Sequence, residues 1–137
     1  MSVDANPATG DNGLETNIAA APGLVGIDHV QLAMPVGAED VARSFYTGVL
    51  GLPEVDKPAV LAARGGCWFE RGVVKLHLGV EADFRPAQKA HPAVVVRRLR
   101  AFVDERDLMV RWSHEIPGVD RCYVDDPFGN RIELIDG

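Results

Sequence analysis

An internal repeat constrains the fold of this chain more than any other feature of its sequence. Four positions recur in the same order in each half of the chain, and they are His29, Cys67, Trp68 and His77 in the first half and His91, Cys122, Tyr123 and Glu133 in the second. The two opening histidines lie 62 residues apart, and each begins a short apolar run typical of a strand. Such self-similarity predicts two copies of one structural unit.

Each half of the sequence predicts a strand, a helix and three further strands. The period-2 and period-3.6 apolar patterns, with turn residues between them, predict strands at 27–34, 59–63, 67–70, 73–80, 91–96, 109–113, 120–124 and 131–135, and helices at about 39–51 and 97–106. The predicted fold class is therefore α+β, with β-α-β-β-β modules at about residues 25–80 and 91–137. Residues 25–137 are expected to form a single domain. Residues 1–24, rich in small and polar residues, are predicted to be a flexible tail.

Four side chains in these strands are of the types that bind divalent metals: His29, His77, His91 and Glu133. Imidazole nitrogen and carboxylate oxygen are ligands for zinc, nickel, iron and manganese. The chain has only four histidines, and three of them fall at or in strands. The sequence therefore predicts one metal site to which each module contributes two ligands.

Side-chain alternation along the strands predicts where these ligands point. Alternate residues of a strand share a face. Three of the strands combine an apolar face with a polar face that carries a candidate ligand. A curved, cup-shaped mixed sheet with helices on its outer face would turn the polar faces into a cavity. The candidate substrate-binding residues on the inner face are Gln31, Trp68, Lys75, Tyr123 and Arg131.

Composition narrows the possible partners and the location of the protein. The net charge of −6 argues against a nucleic-acid partner. The sequence has no apolar stretch of the roughly 18 residues that a bilayer span requires and no secretory signal pattern. The two cysteines form no CxxC motif and are predicted to be buried, reduced thiols. These features predict a cytoplasmic protein that binds neither nucleic acid nor a membrane.

Three segments of the chain resemble the vicinal oxygen chelate superfamily, the group of glyoxalases, bleomycin-resistance proteins and extradiol dioxygenases. The segments are Ile27-Asp-His-Val, Ser44-Phe-Tyr-Thr-Gly-Val-Leu-Gly-Leu52 and Val124-Asp-Asp-Pro-Phe-Gly-Asn-Arg-Ile-Glu-Leu134. The resemblance covers about residues 26–136. It implies two β-α-β-β-β modules around one divalent metal, with ligands at His29, His77, His91 and Glu133, and a chain that forms a homodimer.

The function implied by the resemblance is that of a metal-dependent lyase or isomerase of glyoxalase type. Its small substrate would chelate the metal through vicinal oxygens, and Glu133 would be the catalytic residue that moves a proton. Two alternatives stay open, an iron-dependent dioxygenase of extradiol type and a drug- or metabolite-binding protein without turnover. His77 stands where glyoxalases usually carry a carboxylate, and as a fourth ligand it would occupy a position that a dioxygenase needs for substrate and dioxygen.

Overall fold

The computed structural model of the protein describes residues 20–137. The predicted tail covers residues 1–24, and its first 19 residues lie outside the described part of the chain. The predicted bounds of the domain, 25–137, stay a prediction. No helix within residues 20–137 combines the length and the apolar character needed to cross a lipid bilayer.

The described residues form two four-stranded mixed sheets with three short helices. The first module contains β1 (Val30–Met34), α1 (Glu39–Tyr46), β2 (Glu54–Val55), α2 (Ala59–Ala62), β3 (Cys67–Arg71) and β4 (Val74–Val80). The second contains β5 (Ala93–Val96), α3 (Leu99–Glu105), β6 (Arg111–Ser113), β7 (Arg121–Asp125) and β8 (Arg131–Asp136). The strand orders are β1-β4-β3-β2 and β5-β8-β7-β6, with the first pair in each sheet parallel and the others antiparallel. The predicted α+β class and the β-α-β-β-β repeat are confirmed.

One predicted strand of the first module is wrong. Residues 59–63 were expected to be extended, but Ala59–Ala62 form the single helical turn α2. The second strand of the module is instead Glu54–Val55, which the sequence did not predict. Pro58 precedes this turn, and its carbonyl accepts hydrogen bonds from the amides of Leu61 and Ala62. Proline pre-sets the backbone at a helix start, and alanine is the strongest helix former. In a run this short, these local preferences outweigh the strand tendency of Val60.

The core lies between each sheet and its helices. On the first sheet, Leu76, Leu78 and Phe69 are buried on the face that α1 covers, and the second sheet buries an equivalent set beneath α3. The other members of this core are Met34, Ala42, Tyr46, Leu52, Leu99, Val103, Val124, Ile132 and Leu134. Cys67 and Cys122 are buried and unpaired, as predicted. Burial raises the pKa of the Cys122 thiol to about 11, which keeps the thiol protonated at neutral pH.

A buried carboxylate joins the two modules. Asp126 lies in the turn between β7 and β8, and its Oδ1 accepts hydrogen bonds from the backbone amides of Phe128 and Asn130. Its Oδ2 accepts from the Tyr46 hydroxyl of α1 at 2.7 Å and from Asn130 Nδ2 at 2.8 Å. Asn130 Nδ2 also donates to the carbonyl of Ala33 in β1. The turn of the second module is thus tied to both the helix and the first strand of the first module.

We expect Tyr46→Phe to destabilise the protein by about 1–3 kcal/mol, because it removes one hydrogen bond from a buried carboxylate. Burial and the adjacent Asp126 charge raise the pKa of Tyr46 well above its usual range, so the hydroxyl is a donor at neutral pH. Urea denaturation followed by circular dichroism measures the change. Ser44→Ala, which removes an exposed hydroxyl from the same helix, should cost less. Equal losses in the two variants would contradict the role of the Asp126 network.

Candidate functional site

Strand register brings the candidate residues of each module to one face of its sheet. Gln31 and Trp68 both lie opposite His77, in β1 and β3 respectively. Tyr123 lies opposite Glu133 in the second sheet. Because directly opposed residues share a face, each module presents its candidates together. Lys75 and Arg131 lie two residues before His77 and Glu133 on the same strands, and therefore on the same faces.

Three flat rings are stacked on the inner face of the first sheet. The rings of Trp68 and His77 are 4.1 Å apart between centroids and inclined by 6°, and the rings of His77 and His29 are 4.2 Å apart and inclined by 19°. His77 is buried between them, while the side chain of His29, one residue before β1, is 41% exposed. The stack fixes the orientation of the His77 ring and leaves His29 at the open end.

A neighbouring oxygen fixes the proton on one ring nitrogen of each candidate histidine. Asp28 Oδ1 lies 2.9 Å from His29 Nδ1, and Glu70 Oε2 lies 2.7 Å from His77 Nε2. The carbonyl oxygen of residue 89 lies 2.7 Å from His91 Nδ1. Carboxylates and carbonyls accept hydrogen bonds, so these three nitrogens are the donors. The hydrogen bond from His29 and the charge of Lys75 hold the pKa of the Asp28 carboxyl below its usual range.

The second nitrogen of each ring remains for a ligand. His77 Nδ1 is buried and, within residues 20–137, has no hydrogen-bond partner. His91 Nε2 faces Glu133 Oε1 at 3.1 Å. His91 Nδ1 already donates a proton to a carbonyl. Nε2 therefore either carries a second proton, which makes the ring cationic, or turns a lone pair toward the carboxylate. A cation between the nitrogen and the oxygen would satisfy both lone pairs.

Arg121 is a buried site residue that the sequence analysis missed. Its Nη1 donates to the Tyr123 hydroxyl at 2.8 Å and lies 3.4 Å from Glu133 Oε1, and its Nη2 lies 3.3 Å from Glu115. The Arg121 residue is only 8% exposed. Its position two residues before Tyr123 on β7 puts it on the inner face, so side-chain alternation was the signal that would have found it.

The four predicted ligands are brought together as two pairs, His29 with His77 and His91 with Glu133. Within the part of the chain that the structure describes, no three His, Cys, Asp or Glu side chains are close enough to hold one metal ion. The His29 and His77 rings are nearly parallel, so their in-plane lone pairs do not converge. Binding of one ion by both rings therefore requires one ring to turn, and His29 is the exposed one.

Two of the cavities that both modules line contain candidate ligands. The larger, about 660 Å³, is lined by Gln31 and Ala33 of β1 and by His91 and Arg131 of the second module. The smaller, about 330 Å³, is lined by His29 and Lys75 and by residues 92–95. The candidate ligands from both modules thus border the space between the sheets, where a small molecule has access to them.

The fold and sequence are similar to those of solved glyoxalase proteins. A protein from Bacillus anthracis assigned to the glyoxalase family is 46% identical, with a TM-score of 0.81, over 85% of this chain and 98% of that one. Identity at this level over nearly all of the relative decides the family. The chain belongs to the glyoxalase family, within the vicinal oxygen chelate superfamily.

More distant members of the superfamily share the fold. A lactoylglutathione lyase from Agrobacterium tumefaciens is 19% identical, with a TM-score of 0.54, over 85% of this chain and 95% of that one. An antibiotic-binding protein from Streptomyces is 22% identical, with a TM-score of 0.59, over 82% and 98%. Enzymes and binding proteins therefore share this architecture, and the fold does not choose between them. No family model and no curated protein matches the sequence.

Proposed function

We propose that the protein is a metal-dependent enzyme of glyoxalase type, a lyase or isomerase whose small substrate binds the metal through two vicinal oxygens. The observation that carries the proposal is the hydrogen bonding of the three histidines. Each has one nitrogen paired with Asp28, Glu70 or a backbone carbonyl. The other nitrogen is unpartnered in His77 and faces the Glu133 carboxylate in His91. Metal-binding histidines are oriented in this way by carboxylates and carbonyls behind them.

The donor set fits one divalent ion, with His29, His77, His91 and Glu133 as its ligands. The approach of His91 Nε2 to Glu133 Oε1 at 3.1 Å supports the proposal, because a cation held by both atoms would satisfy both lone pairs. The unpartnered His77 Nδ1 also fits, since a buried nitrogen without a partner is costly unless something binds it. Zinc, nickel, iron and manganese all accept this set.

A divalent ion held there would act as a Lewis acid toward the two substrate oxygens. Glu133 is the proposed catalytic residue, which takes a proton from one substrate carbon and returns it to the neighbouring one. Arg121 Nη1 and His91 Nε2 both lie on the side of its Oε1, at 3.4 and 3.1 Å, which leaves Oε2 for the proton. Polar side chains on the inner faces of the sheets, Gln31, Lys75 and Arg131, would orient the substrate. Trp68 and Tyr123 would line the substrate site beside them.

Glu133→Gln and His77→Ala should each weaken zinc binding by more than about 100-fold, because loss of a ligand exceeds the 10–100-fold effect of changing an outer partner. His114→Ala is the matched control, since His114 is exposed and lies outside the candidate set. The measurement is competitive zinc titration of full-length protein purified without a histidine tag. Unchanged affinity in both ligand variants would contradict the proposed site.

Glu70→Gln tests the support behind His77. The Glu70 carboxylate accepts the Nε2 proton, and its negative charge raises the basicity of the His77 ring. Glu70→Gln removes that charge, so zinc affinity should fall by roughly tenfold or more. Glu105→Gln, at an exposed carboxylate on α3, should leave the affinity unchanged. Equal affinities of the two variants would show that Glu70 has no part in metal binding.

A binding function without turnover is the second candidate, and the aromatic stack favours it. His29 is the exposed end of the stack, and an aromatic ligand could stack on the face of its ring that His77 does not cover. Quenching of tryptophan fluorescence by an aromatic compound in the metal-free protein, with no change in the compound, would support this candidate. Oxygen uptake by the iron-loaded protein would instead support a dioxygenase.

We also propose that the protein forms a homodimer through the apolar side chains at the edge of the first module. Val25, Ile27 and Val73 are 98%, 83% and 94% exposed. Three such exposed apolar side chains are unusual for a surface that contacts only solvent. Light scattering after gel filtration should give the mass of two 14.8 kDa chains, and Ile27→Lys should give one. Val60→Lys, at an exposed valine of α2, is the control. A wild-type monomer at micromolar concentration would contradict the dimer.

A further inference from the structure

The larger cavity between the modules carries more positive than negative charge in an otherwise acidic chain. The charged residues that line it are Arg85, Arg131 and Glu81, two cations and one anion. The whole chain, by contrast, carries a net charge of −6. Within the described residues, none of these three side chains forms an ion pair. Two guanidinium groups without carboxylate partners are therefore available to an anion in the cavity.

The loop that carries Arg85 is docked on the second module on both sides of that residue. Phe84 packs edge-on against Phe128, with ring centroids 6.3 Å apart. Pro86 lies against Gly129, where an added Cβ would come within 3.2 Å of the proline Cγ. These two contacts hold the loop against the turn before β8, so that Arg85 lines the same cavity as Arg131. The pair thus comes from two segments that the fold brings together.

Arg131 is oriented toward the inner face by its neighbour in β7. Its guanidinium carbon lies 5.5 Å from the centre of the Tyr123 ring, within the range of a cation–π contact. Arg131 is two residues before Glu133 on β8, and His91 also lines the cavity. An anion held by Arg131 would therefore lie beside the candidate ligand pair of the second module.

We propose that Arg85 and Arg131 bind a distal carboxylate of the substrate, which makes the substrate class a small α-hydroxy carbonyl compound that also carries a carboxylate. This inference rests on the proposed function for the position of the chelating end. The hydroxyl and carbonyl oxygens on adjacent carbons would form that end, and the hydroxyl-bearing carbon has the proton that Glu133 moves, while the distal carboxylate would contact the two arginines. Guanidinium groups bind carboxylates through two parallel hydrogen bonds. A cavity of about 660 Å³ has room for a five-carbon molecule.

The test compares two analogues that present two oxygens on adjacent carbons but have no proton there to transfer. They are 2-oxoglutarate, which has the distal carboxylate, and 2-oxopentanoate, which lacks it. Calorimetric titration of the zinc-loaded full-length protein should give 2-oxoglutarate an affinity about tenfold or more higher. The Arg85→Gln/Arg131→Gln double variant should bring this ratio close to one and leave zinc affinity unchanged. Arg97→Gln, at an exposed arginine outside this cavity, should keep the wild-type ratio. Added salt should lower the wild-type ratio, because it screens the charge interaction.

The outcomes separate this inference from the proposed function. A wild-type ratio near one, or a ratio that the double variant leaves unchanged, overturns the carboxylate site even if zinc binds. If the protein binds no zinc, the proposed function fails, and the ratio measured on the metal-free protein still tests the arginine pair. A change in the ratio with Arg97→Gln would show a general charge effect and would also overturn the site.

Discussion

The contact on which the arrangement of the candidate site depends is the buried Asp126 carboxylate between the two modules. Each module builds its own sheet, and within residues 20–137 no hydrogen bonds join a strand of one sheet to a strand of the other. Hydrogen bonds between the modules are made instead by Asp126, which accepts from Tyr46 of the first module, and by Asn130, which donates to the carbonyl of Ala33. Outside this network, Arg106 Nε donates to the carbonyl of Val49. A buried carboxylate is stable only with its full set of donors, so this network has one favourable geometry. That geometry holds the turn before β8 against α1 and β1, and so helps to set how the two modules are arranged.

The duplication gives the modules equivalent positions but different chemistry. In the first, His77 lies under Trp68 and is backed by Glu70. In the second, the equivalent Glu133 lies opposite Tyr123 and is held by His91 and Arg121. One module therefore supplies a rigid aromatic stack and the other a network of charges. A site between them has one wall of stacked aromatic rings and one ionic wall, which agrees with the proposal of a small substrate that binds through its oxygens.

Much of this arrangement could be predicted from the sequence because it follows from side-chain alternation and repetition. Alternation predicted that His77 and Glu133 lie on the inner faces, and the register agrees. The prediction failed at residues 59–63, where a helical turn after a proline replaced a strand. It also missed Glu70 and Arg121 as partners of the ligands, because both contacts cross between strands. Partners across a sheet depend on register, which the sequence of a single strand does not reveal.

We propose that residues of both modules hold one metal ion. X-ray absorption at the zinc edge of the zinc-loaded, full-length protein tests this most directly. The account predicts one bound zinc per chain, nitrogen and oxygen ligands at about 2.0–2.1 Å, and scattering from three imidazole rings. His77→Ala and His91→Ala should each remove one ring from the signal, one from each module. Zinc bound through sulfur, or a ring count that neither variant lowers, would contradict the account.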